Sequence, residues 1–486
     1  MSTTTGTLSS AGIGSGLDVS SIITSLMSVE KLPLTKLQST ATTMQTKLSA
    51  FGQVQSFVST FRDAAAQLQN PDSYAVTTAT SSDGTAVSAS STTRAVPGSY
   101  AVSVTSLSST QSSVSATGQF ATDADVVGSG SITLSLGTWS TGQTSFTAKP
   151  GTSDVVIPIG ASENTLAGIR DKINAANAGV SATIVTDASG SRLALQSSAT
   201  GAANGFKVTV ADDDLNNTDA AGLSRLAFDP PSATAGMSLT QSAANTKASI
   251  NGIAVETTGN TLTGVIDGMT FNLSKVTAAP VTVNVARNTD SVKSLITNFV
   301  ASYNALSSFL SSATQYNAST QTAALLQGDA TTTGLQNQLR SMISQSGTAS
   351  ATFGTLSDVG LEFQKDGRLK VNDVKLGAAL AKLPELTIAM SKVDSTNASN
   401  NGLAKRIASW ADGLLSTNGS LTGKAKSIQS QITANQKDQA KFNDRLTGIE
   451  ARIRAQYTAL DSTMANANAL SKYVTQQITT WNKSTA

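Results

Sequence analysis

The side chains able to do chemistry are few in kind. The 486 residues include no cysteine and no histidine. That removes the thiol nucleophile, the disulfide framework, the Cys-ligated metal and the usual zinc ligand. It also removes the usual general base, so Ser-His-Asp, Cys-His and HExxH chemistry are excluded. What remains is 31 carboxylates, 33 Lys and Arg, and hydroxyls. Paired carboxylates could hydrolyse glycosides, but such partners meet only in space and nothing in the sequence selects a pair. Gly12-Ile13-Gly14-Ser15-Gly16 lacks the GxGxxG spacing and has no preceding strand, so it reads as a flexible segment before a helix. Asp212-Asp213-Asp214 lacks the spacing of a calcium loop and reads as a solvated turn. Arg452-Ile453-Arg454 reads as the solvated face of a helix. No residue is therefore singled out as catalytic, cofactor-binding or metal-ligating.

The formal charge of +2 is too balanced to propose nucleic acid as partner. No run approaches the ~18 apolar residues of a membrane-spanning helix, so no membrane insertion is expected. Met1 to Ser10 has no Lys or Arg and no apolar core, unlike a Sec-type signal peptide. A chain without such a signal is usually cytoplasmic, yet this one, poor in charge and rich in Ser, Thr, Ala, Asn, Gln and Gly, has the composition of a secreted surface protein.

The elements that carry these residues divide into helical ends and a β-rich middle. Asp18 is placed to cap a short helix bearing Ile22, Ile23, Leu26 and Val29, which Pro33 interrupts. Leu37, Ala41, Met44, Leu48, Phe51 and Val58 then recur in steps of three, four and seven, predicting a long amphipathic helix that ends at Asn70-Pro71-Asp72. Alternation takes over at Tyr100, Val102, Val104, again at Ile132, Leu134, Leu136, and at Val281, Val283, Val285. One helix intervenes over 165–178, with Asn164 as cap and Gly179 as stop. Asp187-Ala188-Ser189-Gly190 reads as a four-residue hairpin loop, and Asn251-Gly252 is the strongest hairpin signal. Helices return at Asp290 and Asp329, a hairpin turns at Asp366-Gly367, and a helix capped by Asn372 ends near Pro384. Residues 395–402 read as a linker. Ile428, Ile432, Asn435, Gln439, Phe442, Leu446, Ile449, Ile453, Gln456 and Leu460 then keep a 4-3 spacing that predicts a coiled coil, continued less regularly by Met464, Leu470, Val474, Ile478 and Trp481.

The expected fold is a multidomain α+β protein. Long terminal helices pair as an antiparallel coiled-coil leg, and nested β-rich head domains are inserted between them. The expected divisions are 1–36, an N-terminal assembly helix; 37–72, a leg helix; 73–112 and 243–289, two parts of one β head; 113–242, an inserted outer head; 290–401, a helical domain with a hairpin; and 402–486, the C-terminal helix. Residues 402–486 carry 11 bases against 5 acids, and residues 113–242 carry 6 against 11, so charge divides along the chain as well. The expected seam comprises Leu37, Met44, Leu48, Phe51, Val58, Ile428, Ile432, Phe442, Leu446, Ile449 and Ile453. The expected assembly surface, ordered on contact with partners, comprises Ile13, Leu17, Ile22, Leu26, Leu32, Leu34, Leu460, Met464, Leu470, Val474 and Ile478.

Several segments carry a resemblance. Gly12 to Val19 resembles the opening of the flagellar filament-capping protein family, hook-associated protein 2, and so does Thr165 to Asn177 with Ser191-Arg192-Leu193. Ala248 to Leu273, with Ile250-Asn251-Gly252 and Ile266 to Thr270, resembles the motif shared by hook-associated proteins. Leu326 to Asp329 and Val359 to Leu369 resemble the family's C-terminal region. Leu386 to Met390 departs from the Leu-Phe pair of the family pattern, and 113–242 is the least constrained segment. The resemblance implies a non-enzymatic, extracellular cap at the distal tip of the bacterial flagellum. It implies a homo-oligomeric ring of about five subunits, with helical legs and a β-rich plate, that holds exported flagellin while it folds and inserts. Further implied partners are the hook-associated junction proteins and a cytoplasmic export chaperone on the C-terminal helix. Export would follow the flagellar type III pathway, without a cleaved signal. For some relatives the resemblance also implies adhesion to host mucin or other surfaces. A secreted adhesin and a hook–filament junction subunit are the alternatives from other functional classes.

Overall fold

A computed structural model describes residues 18–231 and 236–484. Ile13 and Leu17 lie outside the described residues. The first helix, α1, spans Val19–Glu30 and is capped by Asp18, whose carboxylate accepts the Ser21 amide at 3.0 Å. Lys31 keeps helical dihedrals, and α2 follows over Leu32–Leu68. Pro33 therefore opens a helix as much as it interrupts one. Its missing N–H falls in the first turn, where no intrahelical bond is needed.

The chain divides into two compact units, one spanning Tyr74–Thr289 and the other taking the described residues on both sides of it. After the single turn α3, Asp72–Ala75, the β-rich unit begins. Its inner half contains β1 (Thr77–Ser81), β2 (Val87–Ser91) and β3 (Gly98–Ser106). Its outer half contains β4 (Ser112–Val114), β5 (Gly130–Trp139), β6 (Phe146–Ala148), β7 (Val155–Ile159), α4 (Leu166–Ala175), β8 (Val180–Asp187), β9 (Gly190–Ser197), β10 (Gly205–Asp212) and β11 (Ser238–Gln241). The chain then re-enters the inner half with β12 (Thr246–Ile250), β13 (Ile253–Thr257), β14 (Thr261–Thr263), β15 (Met269–Leu273) and β16 (Val281–Arg287). The inner sheets run β1-β16-β3-β12-β13 and β14-β15-β2, around Val102, Val104, Phe271 and Val283. The outer sheets run β10-β5-β6, with β7 also on β5, and β11-β4-β9-β8, around Ile132, Leu134, Leu193, Phe206 and the apolar face of α4.

Local signals differ from expectation in a few places. Thr165, not Asn164, caps α4, accepting the Gly168 amide at 3.1 Å. Asp187 pairs directly with Gly190, so that hairpin turns on two residues rather than four. At Asn251-Gly252 both residues take left-handed dihedrals, φ 48° and 82°, which a type I′ turn requires. The Asn251 side chain also accepts the Ala101 amide at 2.8 Å, extending the β3–β12 ladder past its last backbone pair.

The helical unit resumes with α5 (Thr289–Thr314), the two-residue strands β17 and β18 (Tyr316–Asn317, Thr322–Ala323), α6 (Ala330–Ser344), the hairpin β19–β20 (Leu361–Phe363, Leu369–Val371), α7 (Asp373–Leu380), α8 (Leu383–Ser391), α9 (Leu403–Leu415) and α10 (Ser420–Ser484). Pro384 is the second residue of α8 and starts that helix instead of ending α7, again because a first turn tolerates it. The segment expected to be a linker is an ordered turn. The Asp394 carboxylate accepts the amides of Thr396 and Asn397, the Thr396 hydroxyl and the Asn400 side chain. Those bonds hold its pKa far below the usual carboxylate range.

Candidate assembly interface

α10 has 65 residues, which at 1.5 Å each is roughly 100 Å of helix. It runs antiparallel to α2 and then α1. Lys424 lies over the Phe51 ring at 5.7 Å, and Leu34 and Leu446 share one cluster with Val19, Ile23 and Met27. The seam is dry at its inner end. Phe51, Val58, Ile428, Ile432 and Leu446 are buried. Leu37, Met44, Leu48, Phe442, Ile449 and Ile453 are half-buried, as a pair of helices without a third leaves them.

Two polar features sit in this seam. Asp329 caps α6, accepting the Thr332 amide at 3.0 Å, and meets Lys424 of α10 at 2.7 Å. Burial pushes the Asp329 carboxyl up, but the Lys424 ammonium and the Thr332 hydrogen bonds together outweigh it and leave it lowered. A depressed folded pKa contributes stability that is present above the unfolded value near 3.8 and lost as pH falls below it. Asp329→Ala is expected to cost about 1–2 kcal/mol at neutral pH, the range of a lost cap, and to flatten the acid limb of a urea-stability profile. Farther along, Gln439 donates to buried Asn435 at 2.6 Å. Replacing both by leucine removes the polar pair together, and is expected to raise unfolding free energy by about 1 kcal/mol in chemical denaturation.

Beyond Ile453 the helix pair changes character. Tyr457 is half-buried against α1, while Gln456 and Leu460, which the 4-3 spacing put in the seam, are exposed. The reason is periodicity. An α-helix turns every 3.6 residues, so a straight contact drifts toward steps of four, here Ile449, Ile453, Tyr457. Leu34, expected on the assembly surface, is instead buried at 8% exposure in its own chain's cluster. It follows Met27 by seven residues through a junction that keeps helical phase. Ile22 is half-buried, and Leu26 and Leu32 are exposed. Val19 and Met27 complete the buried face of α1 and were missed by the sequence reading; their spacing of four on either side of Ile23 is the signal that could have found them.

Past the start of α1, the seam face of α10 continues with Leu460, Met464, Val474, Ile478 and Trp481, with Leu470 and Tyr473 beside it. These residues are 39–74% exposed. Fully burying one such aliphatic side chain is worth about 1.5–3 kcal/mol, so the stripe is a strong latent contact surface. No group of three or more metal-ligating side chains occurs among the described residues, and no described helix is long and apolar enough to cross a membrane. The Asp212 carboxylate is engaged as a structural acceptor for the Ser224 and Leu223 amides.

Comparisons with known proteins place this architecture. A family profile for the flagellar hook-associated protein 2 N-terminus matches residues 15–111, and one for its C-terminus matches 243–469. A profile for the flagellin hook IN motif matches 143–199. That motif therefore lies in the outer half of the β unit, the segment read as least constrained, while Ala248–Leu273 falls within the C-terminal profile. The chain is 33% identical to flagellar hook-associated protein 2 of Escherichia coli K12, over 97% of this chain and 98% of the relative. It is 31% identical to the B-type flagellar hook-associated protein 2 of Pseudomonas aeruginosa, over 96% and 97%. A crystal structure of three domains of the E. coli flagellar cap protein FliD superposes with a TM-score of 0.57 at 30% identity, covering 78% of this chain and 99% of that one. These relatives are structural components of the flagellum, not enzymes. The seam, the uncovered stripe and near-full-length similarity agree, and the chain belongs to the flagellar hook-associated protein 2 family.

Proposed function

We propose that this protein caps the distal tip of a bacterial flagellar filament. Copies assemble as a ring, of about five subunits as the family resemblance implies. The ring retains exported flagellin and promotes its folding and insertion. The observation that carries the reading is the continuation of the α10 seam face, where Leu460, Met464, Val474 and Ile478 stay exposed among the described residues over roughly 27 Å. In the cap it meets neighbouring subunits or the filament, and before export a cytoplasmic chaperone covers it. Hook-associated junction proteins lie next in the structure that the cap closes. The missing cysteines suit a chain that passes unfolded through the flagellar type III channel, where a disulfide would obstruct.

The test is deletion of the gene. Unpolymerised flagellin in the medium, with filament growth restored by added protein, is the expected result. Normal filaments in the deletion strain would refute the reading. A secreted adhesin would leave filament growth intact and keep binding in a head-only fragment, and a junction subunit would add to filament ends without closing them.

A further inference from the structure

Four Asn-Gly pairs occur in the chain, Asn204-Gly205, Asn251-Gly252, Asn401-Gly402 and Asn418-Gly419. Such a pair can react with itself. Glycine has no side chain to shield its main-chain nitrogen, and its backbone turns freely enough to bring that nitrogen onto the asparagine carboxamide. The carboxamide must also be free to swing its Cγ toward the nitrogen. Tertiary structure therefore decides which pair is competent.

Three of the four carboxamides are held. Asn204 accepts from Lys149 Nζ at 2.7 Å and donates to the Thr200 carbonyl at 2.6 Å. Asn251 accepts the Ala101 amide at 2.8 Å. Asn401 accepts the Asp394 amide at 2.6 Å. Asn418 differs. It lies exposed in the turn between α9 and α10, and among the described residues no hydrogen bond holds its carboxamide. The nitrogens separate the pairs less. The Gly419 amide donates to the Ser416 carbonyl at 2.8 Å, and the Gly402 and Gly205 amides are bonded in the same way, to the Lys392 and Ala202 carbonyls. Gly252 has no such bond among the described residues, which makes Asn251 the nearest competitor and Ala101 its restraint.

We propose that Asn418 is a deamidation site, converted without an enzyme to aspartate and isoaspartate. The Gly419 main-chain nitrogen attacks Asn418 Cγ and bonds to it. The Cγ–Nδ2 bond breaks, and ammonia leaves with the proton that the attacking nitrogen gave up. Water then adds to either carbonyl carbon of the cyclic imide and breaks that carbon's bond to the Gly419 nitrogen, which regains a proton. Opening at Cγ leaves aspartate in the normal chain. Opening at the main-chain carbonyl leaves isoaspartate, with one extra carbon in the chain. Water is the only co-reactant, and nothing is oxidised or reduced. Either product sets a carboxylate immediately ahead of α10, where the helix end favours negative charge. Lys426 is close by, its ammonium donating to the Thr417 carbonyl at 3.4 Å. Aspartate is accommodated there. Isoaspartate strains the turn, because Gly419 packs on the Gly413 and Leu414 carbonyls so closely that a Cβ would not fit.

The test is peptide mapping by mass spectrometry on the folded full chain, kept at mildly alkaline pH in heavy-oxygen water. A carboxylate bearing one solvent oxygen is expected at Asn418 first. The other three pairs should react about tenfold more slowly, the rate cost of first breaking a hydrogen bond. In the urea-unfolded chain all four should react at similar rates, because only the fold distinguishes them. Asn418→Asp should keep the parent's melting temperature. No conversion at Asn418, equal or faster conversion at Asn204, Asn251 or Asn401 in the folded chain, or the same ranking after unfolding would each overturn the assignment. A lowered melting temperature in Asn418→Asp would overturn the accommodation ahead of α10.

Discussion

Phe61→Ala is expected to lower the unfolding free energy of the helical unit by about 3–5 kcal/mol, the range for deleting a buried aromatic ring. Phe61 is fully buried on α2. Its ring packs against Phe299 at 5.1 Å and meets Tyr303 edge-on at 5.9 Å, both on α5. The cavity would not close easily, because Tyr303 is itself anchored by its hydroxyl, which donates to the Gly367 carbonyl at 3.1 Å. Urea denaturation followed by far-ultraviolet circular dichroism measures the loss, and a change below about 1 kcal/mol would contradict this packing. The same cluster sets an alkaline limit. Burial pushes the Tyr303 phenol up to about 12, against smaller opposing pulls from the Ser307 hydrogen bond and the Arg340 charge. Folding thus favours the neutral phenol. That contribution is complete below the unfolded value of 10.0 and is lost as pH rises from there toward about 12. Tyr303→Phe should shift the alkaline unfolding midpoint upward.

The second large effect is on assembly rather than folding. Leu460, Met464, Val474 and Ile478 changed together to serine should leave the monomer's stability within about 1 kcal/mol of the parent, because exposed positions contribute little to the isolated fold. Self-association should weaken by more than about a hundredfold, since even 3 kcal/mol of lost apolar burial exceeds two factors of ten. Sedimentation velocity measures the oligomer, and restoration of filament growth measures the cap. A variant that assembles and caps normally would show that the stripe is only a solvated helix end. A variant that unfolds would show that the stripe is covered within the monomer.

The seam residues were legible because the period of each helix is written in the chain, and it sets them on one face, buried or half-buried. Phe51, Val58, Ile428 and Ile432 fall on one face by spacing alone. The alternation at Val102, Val104 and at Ile132, Leu134 likewise announces strands. Caps were legible where a side chain acts on its own backbone, as at Asp18 and Asn372. One proline was misjudged, Pro384, because composition does not say whether a proline falls in the first turn or after the last. Leu34 was misjudged because its burial depends on Lys31 keeping helical phase across the junction.

The sequence by itself determined that Cys and His chemistry is absent, that helices enclose a β-rich middle, and that both ends carry apolar stripes. These follow from composition and from local periods, which act over a few residues. Only the tertiary structure decided where the C-terminal stripe stops being a seam. That boundary depends on where α1 begins alongside α10 some 430 residues later, and on the drift of a 3.6-residue helix past Ile453. It also decided that Ala101 holds the Asn251 carboxamide and Lys149 that of Asn204, while Asn418 stays exposed. Residues so far apart in sequence meet through strand pairing, and no local period encodes which faces a sheet brings together.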